Sequence, residues 1–493
     1  MTEPAVDAPI GAGRSAWRER ARSVRLRGIV FVTLCAAFWA LRIYYWNTNI
    51  EAPFSDMFHY VEVADNILGS FTFGVSRAPT FFTPVTPSLI AIAKLISPVH
   101  FHSVFQFLTQ LLAFVGVLAL AREIRLLTGH AFLAWALLGI VAVCRPSIFW
   151  SLKLATEPVG EALLYVTSAF TLATLRTQRL SLSLAAGVCC LLLGLNRPNF
   201  LPGISLVFVA ILVRPGTVQL RDARRGQHWR SGQAFGRTLG VRQLALPAVF
   251  LCGFLGLWSP WIARNYINYG VFMPTSTSGY FGVIWDQGGA PIRIGRYESL
   301  KLADGSEFSQ FGLNHILEAW ERLPTPVERS RFIQMLSSAW LAANWPDIPR
   351  ATLGRLRHLL LNRGASGLTK LSREELFRSS STGVQFPYLD AAWINVLLLD
   401  KTPTVCVLSL VGLFFFLVRF TDAGLALTGF LLVPWIAGAA VMGVTRIVES
   451  LVAFDIWLAF FGISSFVGDM LGKPIGPAQV LRARGQGEPR IIK

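Results

Sequence analysis

Charge is scarce in this chain. Asp, Glu, Lys and Arg together make up 15% of 493 residues, where a soluble globular chain carries about 25%. Cysteine is scarce too. The six present (Cys35, Cys144, Cys189, Cys190, Cys252 and Cys406) all lie inside apolar runs, with no Cys-x-x-Cys or Cys/His spacing. That excludes a disulfide-stapled secreted domain, a thiol redox pair and a structural zinc site; thiols so placed act as small hydrophobes. Internal repeats, low-complexity stretches and inverted symmetry between the halves are all missing. What the chain has is apolar length. Hydrophobic residues reach 53% and mean hydropathy is +0.50. Several apolar runs extend over about 17–22 residues, enough to cross a hydrocarbon core of about 30 Å. The sequence predicts an all-α polytopic membrane protein and excludes a soluble enzyme.

The net charge of +17 resembles a nucleic-acid footprint until the charges are located. Basic residues cluster in an N-terminal arm (Arg14, Arg18, Arg20, Arg22, Arg25, Arg27), an internal loop and a C-terminal tail (Lys473, Arg482, Arg484, Arg490, Lys493). The internal loop holds Arg214, Arg221, Arg224, Arg225, Arg230, Arg237 and Arg242, with Asp222 its one acid. Each cluster adjoins an apolar run, and Lys/Arg-rich flanks stay on the cytoplasmic side. The excess therefore encodes topology, and no nucleic-acid partner is expected. The first run ends in Tyr44, Tyr45 and Trp46, an aromatic belt in place of a small-residue cleavage site, so it reads as an uncleaved anchor.

Runs and loop charges together predict about ten spans in a bacterial inner (plasma) membrane, with both termini cytoplasmic. After the basic arm (1–27), an N-terminal module (28–263) has spans at 28–46, 102–121, 131–149 and 158–175. It continues with a hairpin of two short helices over 183–213, broken at Gly194-Leu-Asn-Arg-Pro-Asn199, then an inner loop at 214–242 and a span at 244–262. Residues 47–101 form a first outer loop, in which 84–97 is too short to cross and reads as a re-entrant or interfacial helix. A large outer segment of mixed charge follows at 264–402. Its amphipathic stretches Trp340–Pro346 and Leu356–Leu361 either lie along the membrane surface or form a small exterior domain. C-terminal helices (403–470) give spans at 403–418, 424–442 and 450–468, before a basic tail (471–493).

The first outer loop has the most suggestive local pattern, Pro53-Phe-Ser-Asp-Met-Phe-His-Tyr60. Ser55 can cap a helix, Asp56 sits in its first turn, and Tyr60 is one turn further on the same face. Met57, Val61, Ala64 and Leu68 make an apolar stripe; His59 points elsewhere and is expected at the surface. Spacing alone favours reading Asp56 as a first-turn acid answering the helix dipole. Glu157, in Ala155-Thr-Glu-Pro158, opens span four; the dipole reading and a functional one stand level there. Glu161, one turn deeper, is expected to face the bundle. Four arginines fall on the outer side: Arg77, Arg197, Arg264 and Arg446. Their plain readings are a surface charge for Arg77, helix capping for Arg197 and interfacial snorkelling for Arg264 and Arg446.

Further segments complete a set. Gly74-Val-Ser-Arg-Ala-Pro-Thr-Phe-Phe-Thr-Pro84 and Pro87-Ser-Leu-Ile-Ala follow the first-loop helix. Later come Gly194-Leu-Asn-Arg-Pro198, Ser259-Pro-Trp-Ile-Ala-Arg-Asn-Tyr266 and Gly270-Val-Phe-Met-Pro-Thr-Ser-Thr277. In this order and topology the chain resembles integral-membrane glycosyltransferases of the GT-C class, in the branch of the dolichyl-phosphate-mannose protein mannosyltransferases and the lipid A aminoarabinose transferase. The resemblance covers residues 28–290 and the last three spans in outline. It implies a GT-C-like bundle that moves a hexosyl or pentosyl group, with inversion, from a polyprenyl-phosphate donor to a hydroxyl acceptor (glycolipid, polysaccharide or protein) outside the membrane. It implies Asp56 as general base, with Tyr60 holding the acceptor or the carboxylate. Many relatives carry an adjacent Asp-Glu pair, but here Met57 follows Asp56, so Glu157 becomes the candidate second acid. Arg77, Arg264, Arg197 and Arg446 would cradle the departing phosphate. No metal is required for that chemistry; a divalent ion is compatible with it but not indicated.

Two rivals remain in view. A transporter or flippase for lipid-linked sugars wants ionisable groups at span centres and paired broken helices, whereas most spans here read as clean and one segment is broken. A polysaccharide polymerase or ligase would rely on a long-loop arginine site in place of a first-loop acid.

Overall fold

The structure, a computed structural model, describes residues 11–48, 56–74, 82–224, 241–270, 272–276, 300–301, 307–308, 313–344, 353, 403–441 and 451–471. Helix α1 (Gly11–Thr48) carries the basic arm straight into the first apolar run, with no proline to stop it. Two short helices follow, α2 (Asp56–Ser70) and α3 (Val85–Ile96). At 1.5 Å per residue α3 spans about 18 Å, too little to cross a bilayer. Helix α4 (Phe101–Thr128) ends on Gly129, whose φ of 78° is the left-handed turn that glycine adopts without strain.

The expected span at 131–149 is broken. It divides into α5 (Ala131–Val143) and α6 (Arg145–Ser151) at Cys144, because Pro146 has no N–H to continue the ladder. Next come α7 (Thr156–Thr177), α8 (Leu180–Asn196), a 3-10 turn (Pro198–Phe200), α9 (Leu201–Arg224) and α10 (Val241–Tyr269). The break at Pro198 lies where the sequence placed the hairpin tip. Within the outer segment, β1 (Leu300–Lys301) pairs antiparallel with β2 (Glu307–Phe308), ahead of α11 (Leu313–Arg322) and α12 (Pro326–Asn344). Thr325 and Glu328 form a reciprocal capping box at the start of α12, Glu328 N donating to Thr325 Oγ1 and Thr325 N to Glu328 Oε2, each at 3.2 Å. Leu356–Leu361 lies outside the described residues, as does the inner loop from 225 to 240. Helices α13 (Pro403–Arg419), α14 (Thr421–Val441) and α15 (Val452–Met470) complete the bundle.

Among the described residues, five helices are long and apolar enough to cross a membrane: Arg25–Tyr44, Phe101–Thr128, Thr156–Thr177, Leu244–Tyr269 and Val452–Met470. Between them lie shorter apolar helices, including both arms of the hairpin. Helix α7 is the axis of the assembly and is buried almost throughout. It packs along α4 on one side and α8 on the other. Side chains alone do not hold the bundle; backbones touch. A Cβ on Gly203 would strike the Gly429 carbonyl, one on Gly412 the Leu458 carbonyl, and one on Gly187 the Phe250 carbonyl. Small residues let helices approach this closely in lipid, where dispersion contacts take over from the hydrophobic effect.

The sequence reads most spans as clean at their centres and expects Glu161 to face the bundle. Arg42, Glu123 and Glu161 are all buried within helices, each against a partner supplied by another helix or by its own. At the end of the bundle marked by Arg122, Arg125 and Arg176, Arg176 grips Glu123 with Nε at 2.7 Å and Nη2 at 3.1 Å. Glu157 lies in the first turn at the other end of α7, about 28 Å from Arg176 at helical rise. Positive residues gather at the first end.

Candidate active site

Three chain segments far apart in sequence meet at the Glu157 end. The first is the loop helix α2. Asp56 lies half-buried in its first turn, where a carboxylate faces the exposed amides of the helix start. Met57, Tyr60, Val63 and Ala64 are buried. The ring of Tyr60 meets Phe82 edge to face, centroids 5.3 Å apart, and His59 stacks on the opposite flank of that ring at 5.3 Å. His59 is half-exposed, as its place on the helix led one to expect. Lys94 of α3 reaches Asp65 at 2.5 Å and holds the two short helices together. The stripe read from the sequence therefore fits as far as Ala64, while Leu68 faces outward.

Phe82 passes this anchorage on through its neighbour. The Thr83 hydroxyl donates to the main-chain carbonyl of Asn196 at 3.3 Å, and Thr86, in the first turn of α3, donates to Asn196 Oδ1 at 2.7 Å. Asn196 in turn donates from Nδ2 to the carbonyl of Thr156 at 2.8 Å. One amide side chain at the end of α8 thus fastens the first outer loop and the start of α7. Its oxygen accepts one bond and its nitrogen donates one, so both ends of this buried amide are engaged.

Arg197 and Glu157 follow from that frame. Each is nearly inaccessible, and Arg197 Nη2 stands 3.9 Å from Glu157 Oε1. Thr156 also donates to Glu157 Oε2 at 3.4 Å. Gly160, one turn below Glu157, leaves room for the arginine stem, since a Cβ there would lie 2.8 Å from Arg197 Cδ. Arg197 caps α8 through its main chain, its N–H on the Leu193 carbonyl at 2.8 Å, while its side chain lies inward across the face of α7, away from water. A guanidinium beside a carboxylate in low-dielectric surroundings is a charge pair that a phosphate could enter or displace.

Arg264 is engaged elsewhere on the same end. Its Nη2 donates to the Phe73 carbonyl and to the Tyr269 hydroxyl, both at 3.2 Å, and Nη1 donates to Asn265 Oδ1 at 2.8 Å. Phe73, Trp261 and Tyr269 surround the guanidinium with ring centroids at 5.7, 5.2 and 5.1 Å. The indoles of Trp258 and Trp261 bind the carbonyls of Pro274 and Thr275 at 2.7 and 2.9 Å, and Asn265 Nδ2 binds that of Met273 at 3.2 Å. The Pro-Trp-x-x-Arg-Asn-Tyr segment is a clasp that gathers Phe73, just beyond the first-loop helix, and the segment 272–276 onto α10.

Tyr60 is thus joined through Phe82, Thr83 and Asn196 to the start of α7 and the Glu157–Arg197 pair, Asp56 lies in the first turn of the same loop helix, and Arg264 holds the chain just beyond that helix at Phe73. Arg77 and Arg446 lie outside the described residues. Among the described residues, no three His, Cys, Asp or Glu side chains gather as metal ligands.

No family model and no curated protein matches the sequence. Among solved structures, the chain is similar to the Archaeoglobus fulgidus oligosaccharyltransferase AglB in complex with an inhibitory peptide and a dolichol-phosphate. The identity is 14% and the TM-score 0.48, over 95% of this chain and 52% of that one. It is also similar to ArnT from Cupriavidus metallidurans bound to undecaprenyl phosphate, at 14% identity and a TM-score of 0.37, over 90% of this chain and 79% of that one. The chain spans about half the length of the oligosaccharyltransferase it matches.

Three residues of the network escaped the sequence reading: Thr83, Thr86 and Asn196. Asn196 lay inside the hairpin motif, but an amide next to an arginine draws less notice than the arginine. Arg42 escaped as well, although an arginine within an apolar run is itself a signal.

Proposed function

We propose that this protein is a membrane glycosyltransferase of GT-C type. It moves a sugar from a polyprenyl-phosphate donor to a hydroxyl acceptor at the outer membrane face, with inversion at the anomeric carbon. The observation that carries this reading is the joining of the acidic first-loop helix to the Glu157–Arg197 pair through Phe82, Thr83 and Asn196. An acid and guanidinium groups at one face meet the two demands of the chemistry. Asp56 takes the acceptor proton as the hydroxyl oxygen attacks, and Arg197 stabilises the charge on the leaving phosphate. Tyr60, one turn from Asp56, positions the acceptor. Glu157 holds Arg197 in place until phosphate arrives, and Arg264 adds a guanidinium to the cradle from the clasp between Phe73 and α10. Arg77 and Arg446 complete the cradle in this reading. A lipid monophosphate can depart with arginine help alone, so turnover proceeds without divalent metal. The protein resides in a bacterial inner membrane with its termini in the cytoplasm.

The test is turnover by purified protein in nanodiscs, using a panel of polyprenyl-phosphate hexoses and pentoses with glycolipid, polysaccharide and peptide acceptors, with EDTA or added Mg²⁺. One donor is expected to be consumed in both conditions, and Asp56→Asn to lower kcat at least a hundred-fold. Unchanged turnover in that variant would reject the assigned base.

A further inference from the structure

Beneath Glu157 lies a second set of charges that the transfer chemistry does not use. Arg42 of α1 is 1% exposed. Its guanidinium sits 3.7 Å over the Phe38 ring and donates to the Val141 carbonyl at 3.2 Å and to Ser147 Oγ at 2.8 Å. Val141 lies in the last turn of α5, where the break at Cys144 leaves carbonyls without helical partners. Arginine can only donate, so Ser147 accepts from it and keeps its own proton for another group. On the adjoining face of α7, against which α6 packs, Glu161 receives the Tyr165 hydroxyl at 2.6 Å. Helix α6 thus stands between α1 and α7, bonded to Arg42 through Ser147, with the guanidinium and the Glu161 carboxyl in electrostatic reach of each other.

Glu161 lies four residues after Glu157, on the same face of α7. Like charges at that spacing repel, and both are buried. The arrangement holds because each carboxylate has its own counter-charge, Arg197 for Glu157 and Arg42 for Glu161. Without Arg42, Glu161 would compete for Arg197 or twist the outer turn of α7.

We propose that Arg42 is a positioning residue for the candidate site, fixing through Ser147 and Glu161 the turn of α7 that presents Glu157 to Arg197. Its effect on turnover rests on the transferase reading above; its effect on geometry does not. Three proteins decide the matter: wild type, Arg42→Met, and the charge-balanced Arg42→Met/Glu161→Gln. Cryo-electron microscopy in nanodiscs is expected to show Glu157 displaced from Arg197 in Arg42→Met, with α4, α8 and α9 superposable. An unmoved Glu157–Arg197 pair would overturn the proposal. In the assay, Arg42→Met is expected to lower kcat at least ten-fold while the donor KM changes less than three-fold. The double variant is expected to regain the wild-type melting temperature but not kcat. Recovery of both would show that the pair only balances charge, and would overturn positioning. If wild type consumes no donor, the transferase reading falls, and the displacement of Glu157 alone decides the inference.

Discussion

Thr86 and Asn196, 110 positions apart, share a 2.7 Å hydrogen bond that fixes the start of α3 to the tip of the hairpin. Because Asn196 also serves the Thr156 carbonyl, replacing it strands two buried groups at once. Asn196→Leu is expected to cost about 1–3 kcal/mol, read as a lower melting temperature in detergent. Thr86→Val removes one of the same bonds, so the double variant should cost less than the sum of the singles. Strict additivity would show that the two side chains are not coupled.

The opposite end of the bundle makes a different demand. Arg176 holds Glu123 through two nitrogens, and Glu123 is only 3% exposed. Arg176→Ala leaves the Glu123 carboxylate with Arg122 alone, at 3.5 Å, and is expected to destabilise by about 1–3 kcal/mol. Arg176→Met with Glu123→Gln removes both charges and should recover most of that loss in the same unfolding measurement. Turnover by the double variant should stay near wild type, since the pair is a helix length from Glu157.

Close helix packing gives a contrast between two glycines. Gly203 meets the Gly429 carbonyl, whereas a Cβ on Gly256 would have nothing within 4 Å. Gly203→Ala is expected to separate α9 from α14 and to lower the melting temperature by many degrees. Gly256→Ala should be neutral or slightly stabilising, because alanine favours a helix interior by about 1 kcal/mol over glycine. Equal effects at the two positions would contradict the packing described.

Arg264 is the hub of the clasp between Phe73 and α10. Arg264→Ala is expected to speed amide exchange at 71–74 without changing exchange at the 123–176 end, measured by hydrogen–deuterium mass spectrometry. Arg264→Lys keeps the charge but cannot serve the Phe73 carbonyl, Tyr269 and Asn265 together, and should give most of the same increase. Slow exchange at 71–74 in both variants would show that the loop end is held by its rings alone.

Much of the architecture was legible in the sequence because lipid leaves the backbone few options. Apolar length located the helices of the bundle, a short proline-bounded run located α3, and Gly194 to Asn199 located the break between α8 and α9. The span broken at Cys144 was not legible in the same way: its apolar character runs on through Ile148 and Phe149, and only Pro146 marks the interruption. Of the site, the residue types could be read but not their partners. Arg197 looked like a hairpin-tip charge because nothing local shows that Gly160, 37 positions earlier, opens a place for it on α7. Arg264 looked like a snorkelling arginine because its three rings come from both sides of a long sequence gap. Contacts of this kind depend on packing between helices, which periodicity does not report.

Sidedness tests the account most directly, because transfer from an exported lipid donor requires the Asp56 end of the bundle to face out. Glu62 is exposed on α2, and Glu62→Cys in a Cys252→Ser background gives a single added thiol there. The account expects a membrane-impermeant maleimide to label it in intact spheroplasts as fully as after permeabilisation. Labelling only after the membrane is opened would place α2 in the cytoplasm and contradict the account.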